Sequence, residues 1–104
     1  MYHRILPEPS FNPFRTIISV GTFENQLEKL TATYEVSGLR AAIESKRHSK
    51  SIRVAITFDD GCEDNYQFAL TILRKRELSD TFCVVTNFVE NQQPLWDWEI
   101  MCSL

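Results

Sequence analysis

Hydrophobic and polar positions change period several times along the chain, and each change marks the edge of a predicted element. Tyr2 to Leu6 reads as a short strand, stopped by Pro7 and Pro9. Residues 7–13 hold three of the four prolines and read as an irregular loop. Arg15 to Val20 predicts a second short extended piece. Phe23, Leu27, Leu30 and Tyr34 then fall at i, i+4, i+7 and i+11, the spacing of one apolar helical face. Thr22 is the expected N-cap of that helix, and Glu24 suits the positive end of its dipole. Tyr34 to Val36 predicts a brief strand and Leu39 to Ile43 a short helix. The polar, mostly basic run from Glu44 to Lys50, which includes His48, reads as a solvated loop.

Ser51 to Phe58 carries the clearest strand pattern: Ile52, Val54, Ile56 and Phe58 alternate, and Ala55 keeps the other face small and apolar. That suits a strand covered on both sides, as in a parallel sheet. Asp59-Asp60-Gly61 ends it. A helix is expected from near Asp64, with Tyr66, Ala69, Leu70 and Leu73 on one face. Arg74-Lys75-Arg76 would close it, complementing the negative end of its dipole. Thr81 to Thr86 (TFCVVT) predicts the next strand, and Trp96 to Leu104 a last helix. Strand and helix alternate, which predicts an α/β fold with a parallel sheet. No internal repeat is visible.

Composition narrows the field. The 104 residues are 43% hydrophobic and 24% charged with 3 Gly, which excludes a disordered tail, a collagen-like fibre and a low-complexity linker. Eleven basic against 14 acidic residues give a net charge of −3, which argues against nucleic-acid binding or a basic membrane surface. Three cysteines (Cys62, Cys83, Cys102) in no C-x-x-C spacing argue against a disulfide scaffold or a zinc ribbon. The N-terminus lacks the apolar stretch and cleavage site of a signal peptide. No window approaches the ~20 apolar residues of a membrane helix.

The sharpest feature is Thr57-Phe58-Asp59-Asp60-Gly61. It puts two carboxylates at the C-terminal end of a buried strand, where parallel α/β architectures bind ligands. Adjacent carboxylates repel when both are ionised, so a nearby cation or a raised pKa is expected. One can ligate a divalent metal while its neighbour serves as base for a metal-bound water. Against this stands a solvated Asp-Gly turn in which an aspartate caps the following helix. Glu63 and Asp64 extend the acidic cluster and raise a loose calcium site, although the spacing does not match an EF-hand loop. His3 reads as a packed or hydrogen-bonded structural residue. Cys62 reads as packing beside the carboxylates, and Trp96 and Trp98 as core rather than as a sugar-stacking platform.

Tyr2-His3-Arg4, the Phe23–Leu30 helix, Ile56 to Gly61, Asp64-Asn65, Ala69, Ile72-Leu73, Thr81-Phe82, Val84 and Leu95-Trp96 occur in an order that resembles the polysaccharide deacetylase family, the NodB-homology domain. T-F-D-D-G is that family's first catalytic motif. The resemblance implies the N-terminal portion of a distorted (β/α) barrel of the glycoside hydrolase/deacetylase type, truncated. Residues 1–50 are then an N-terminal βα extension, and 51–104 the first catalytic-motif strand with the βα units that follow. It also implies a metal-dependent hydrolase that removes acetyl groups from polysaccharides, with zinc or a related ion as cofactor and an acetylated carbohydrate as substrate. On this sequence Asp59 takes the place of the general base and Asp60 that of the metal ligand.

The sequence departs from that pattern in several places. The family's H-[ST]-x-x-H motif is not present, since the only histidines are His3 and His48. Glu77 stands where a glycine usually closes the helix, Asp80 where a small alanine is common, and Cys83 where phenylalanine is frequent. An ordinary barrel needs roughly 200 residues or more, so the chain is expected to be an N-terminal fragment, inactive alone. A non-catalytic deacetylase-like domain that binds a glycan or a protein is the rival. A receiver-type phosphotransfer pocket fits poorly, since no lysine follows Lys75.

Overall fold

The computed structural model describes residues 1–9, 12, 14–44 and 52–91. The helix expected over Trp96–Leu104 and the loop residues 45–50 lie outside them. Among the described residues six short strands, β1 (Arg4–Leu6), β2 (Ile17–Ser19), β3 (Glu35–Val36), β4 (Arg53–Val54), β5 (Thr57–Phe58) and β6 (Thr81–Phe82), pair in parallel as β1–β2, β3–β4 and β5–β6. A parallel bridge between Tyr2 and Phe58 joins the first and last pairs, with Tyr2 N–H donating to Thr57 O (2.8 Å) and Asp59 N–H to Tyr2 O (2.9 Å). The order β2–β1–β5–β6 follows. Helix α1 (Val20–Thr33) lies between β2 and β3, α2 (Leu39–Glu44) between β3 and β4, and α3 (Leu70–Lys75) between β5 and β6, while α4 (Thr86–Asn91) follows β6. Parallel strands joined through helices are the predicted α/β arrangement. Among the described residues no helix is long and apolar enough to cross a membrane.

The segment read as one strand over Ser51–Phe58 is two. Arg53–Val54 pairs with β3, and Thr57–Phe58 pairs with β6. Alternation survives the break only in part: Ile56 and Phe58 are buried, whereas Ile52 is exposed. Helix α1 begins two residues before the expected cap. Ser19 is the N-cap, and its Oγ accepts from Thr22 N–H at 3.0 Å. Phe23 and Leu27 are buried as predicted, but Tyr34 is the C-cap and exposed. The strand expected over Thr81–Thr86 stops at Phe82, and Thr86 already starts α4.

The helix after the motif carries its apolar face differently from the 3.6-residue expectation. Asn65–Ala69 is a π-helical turn, closed by Leu70 N–H to Asn65 O. A wider turn shifts the phase of every side chain before it relative to those after it. Asn65, Ala69, Ile72 and Leu73 therefore point inward, and Tyr66 points to solvent. At the other end Leu78 N–H donates to Leu73 O (3.0 Å) and Glu77 N–H to Arg74 O (3.1 Å). This is a Schellman closure, and Glu77 occupies its left-handed position with φ 53°. A glutamate thus carries the backbone strain that a glycine would avoid.

Phe58 lies at the centre of the core, stacked on Phe82 (ring centroids 4.8 Å) and on Tyr2 (5.5 Å), with Phe23 edge-on at 5.8 Å. Ile5, Leu27, Ile56, Ala69 and Leu73 close around it. Just before β6, burial pushes the Asp80 carboxyl above its ordinary 3.8, with the Arg74 charge and a backbone hydrogen bond pulling partly back. A carboxyl raised on folding holds its proton longer in the native state. Stability therefore falls as pH rises from the unfolded value through the folded one, then levels. Asp80→Ala is expected to raise Tm at about pH 7 and to gain little at about pH 3, below both values. Equal shifts at the two pH values would count against this origin.

Candidate active site

Asp59, Asp60 and Gly61 follow β5 directly, so the end of that strand sets where both carboxylates begin. The turn is left-handed at two successive residues, Asp60 (φ 72°) and Gly61 (φ 71°). Glycine suits the second for two reasons. Its φ is one that side-chain-bearing residues rarely adopt, and a Cβ there would lie 2.9 Å from Val84 Cγ1. Asp60 has no such freedom. An aspartate in the left-handed region is tolerated but strained, and such strain persists only where surrounding contacts hold it.

Those contacts come from β1 and the two residues before it, about sixty residues earlier in the chain. Tyr2 grips the backbone on both sides of Phe58 through the bridge described above. His3 Nδ1 lies 3.1 Å from Asp60 Oδ2, with both side chains largely buried. Arg4 Nε donates to Asp64 Oδ1 at 3.1 Å, and Ile5 N–H donates to Asp64 Oδ2 at 2.7 Å. Asp64 is 5% exposed. Consecutive residues 2–5, leading into β1, thus hold the motif loop at its start, its middle and its far end. The sequence marked Tyr2-His3-Arg4 and Asp64-Asn65 as positions of the family order, but did not indicate that they meet.

The two aspartates differ in their surroundings. Asp60 is engaged by His3, whereas the Asp59 side chain has no hydrogen bond to a described residue. Asp64 is consumed by Arg4 and Ile5, which removes it from any calcium cluster. Among the described residues no group of three or more His, Cys, Asp and Glu converges as a metal cage. A carboxylate is a donor that suits zinc, so Asp60 fits such an ion in kind, while His3 Nδ1 is taken up by its hydrogen bond to Oδ2. Flanking the turn is a mainly apolar cleft of about 190 Å³, lined by Gly61, Cys62, Asn65, Tyr66, Phe82 and Val84 among others. The Asn65 amide is buried, with neither polar atom hydrogen-bonded. The sequence marked Asn65 only as a position of the family order, and its burial follows from the π-helical turn.

Parallel strands and helices with paired carboxylates at a strand end define an α/β fold with a candidate site at that end. Comparison with family models makes this specific: polysaccharide deacetylase matches residues 46–101, more than half of the chain, and the chain belongs to that family. Among solved structures it is similar to the de-N-acetylase from Aggregatibacter actinomycetemcomitans, at 20% identity and a TM-score of 0.76 over 92% of this chain and 41% of that one. It is also similar to the Streptococcus pyogenes deacetylase PplD in complex with acetate, at 29% identity and a TM-score of 0.64 over 86% of this chain and 42% of that one. The chain spans about two fifths of the length of both. A search of curated proteins gives no match.

Proposed function

We propose that this chain supplies the base and one metal ligand of a metal-dependent polysaccharide de-N-acetylase, acting on an acetylated carbohydrate. The observation that carries the reading is the difference between the two aspartates at the end of β5. Asp60 is oriented by His3, and Asp59 is left to accept a proton. The family match over residues 46–101 and the likeness to a de-N-acetylase and to a deacetylase holding acetate support the choice of reaction. A divalent cation at Asp60, zinc by the donor types, would polarise an acetyl carbonyl and acidify a water. Asp59 would accept the proton that the attacking water loses. Residues 51–104 hold this motif, and residues 1–50 act as an N-terminal βα extension that braces it.

Asp60 with at most one imidazole makes a poor cage, since catalytic zinc sites use three protein ligands. The 104-residue chain is therefore expected to bind Zn²⁺ weakly in calorimetric titration and to release no acetate from an acetylated chito-oligosaccharide. Asp60→Ala should lower Zn²⁺ affinity about tenfold or more, and Asp59→Asn should leave it nearly unchanged. Zinc affinity indifferent to Asp60→Ala would overturn the ligand assignment. Chelator-sensitive acetate release would show that these residues complete a site by themselves.

A further inference from the structure

His3, from outside the T-F-D-D-G motif, reaches one of its carboxylates, with Nδ1 3.1 Å from Asp60 Oδ2. We propose that His3 is a positioning residue: its Nδ1–H donates to Asp60 Oδ2 and holds the carboxylate in one rotamer, leaving Oδ1 to face a cation. This rests on the reading of Asp60 as a metal ligand and adds a residue to it.

Three observations carry the assignment. The first is chemical: an ionised carboxylate only accepts hydrogen bonds, so the imidazole nitrogen 3.1 Å away must carry the proton. The second is how His3 is aimed. The chain bends at residue 3, between the Tyr2 bridge and β1, and the Tyr2 ring is fixed in the core against Phe23 (5.0 Å) and Phe58 (5.5 Å). With Tyr2 bridged to Phe58 on one side and Ile5 buried and tied to Asp64 on the other, His3 is fixed between two anchored residues with its Nδ1 at Asp60. The third is need. Asp60 sits at φ 72°, where its own backbone gives little reason to stay, so an external contact has to hold it. A carboxylate ligand with one oxygen already occupied presents the other in a defined direction, which reduces the ordering cost of binding an ion.

The test is titration of the 104-residue chain with Zn²⁺ alone, with thermal melts showing that each variant stays folded. His3→Ala is expected to weaken binding about ten- to a hundredfold. His3→Asn places an amide Nδ2–H close to where Nδ1–H was, and is expected to recover most of that loss. Long-range ¹⁵N–¹H spectra should show Nδ1 protonated in the ion-free chain, and still protonated after Zn²⁺ is added. If Asp60→Ala abolishes binding while His3→Ala leaves it intact, the positioning role fails and the ligand reading stands. A Zn²⁺-induced loss of the Nδ1 proton makes His3 a direct ligand, and also overturns the positioning role. If Asp60→Ala has no effect, or the wild-type chain binds no Zn²⁺, the ligand reading itself fails.

Discussion

Asp64→Ala is expected to destabilise the chain by about 3–5 kcal/mol, the cost of breaking a buried charge pair by removing one partner. For a small domain that is most of its stability, which is typically about 5–15 kcal/mol. The carboxylate accepts from Arg4 Nε and from Ile5 N–H, and it is nearly inaccessible to water. Truncation takes a buried acceptor from the Ile5 amide and a counter-charge from a guanidinium that is itself largely buried. Asp64→Asn keeps a neutral acceptor of the same shape and should cost clearly less, since charged hydrogen bonds are roughly twice as strong as neutral ones. Urea unfolding of the two variants checks the ordering. A loss below about 1 kcal/mol for Asp64→Ala, the range of exposed pairs, would remove Asp64 from its place as the anchor between β1 and the motif helix.

That anchor also marks where the sequence stops being informative. Local signals were read well wherever a residue's role depends on its neighbours in the chain. The prolines after Leu6, the Phe23–Leu27 face, the Asp59-Asp60-Gly61 stop and the unfavourable Glu77 at the helix end all reappear in the structure. What failed depended on distant partners or on phase. Ile52 to Phe58 alternates as one strand would, yet its two halves answer to different partners, β3 and β6, and the pattern cannot register a change of neighbour. Tyr66 fits an apolar helical face only if every turn has 3.6 residues, and the π-helical turn over Asn65–Ala69 exchanges it for Asn65. The motif carboxylates could be placed at a strand end from spacing alone. Their different hydrogen bonding could not, because the His3 contact to Asp60 comes from nearly sixty residues earlier in the chain.

The asymmetry carries the largest functional expectation. In a polypeptide that joins this chain to a segment bearing H-[ST]-x-x-H, Asp59→Asn is expected to lower the rate of acetate release about 10²–10⁴-fold, the usual contribution of a positioned base. The amide has the size of the carboxylate but no basic oxygen at neutral pH, so it can hold a water without taking its proton. The backbone N–H of Asp59 that donates to Tyr2 O is untouched by the change, and the turn should keep its shape. Zn²⁺ affinity should therefore survive in Asp59→Asn and be lost in Asp60→Ala, while acetate release suffers in both. Rates from an acetate assay, set beside calorimetric titrations of the same proteins, separate the two roles. If Asp59→Asn loses metal affinity in step with activity, the two carboxylates share the ion. The division of labour between them then gives way to joint ligation, with the base to be sought elsewhere.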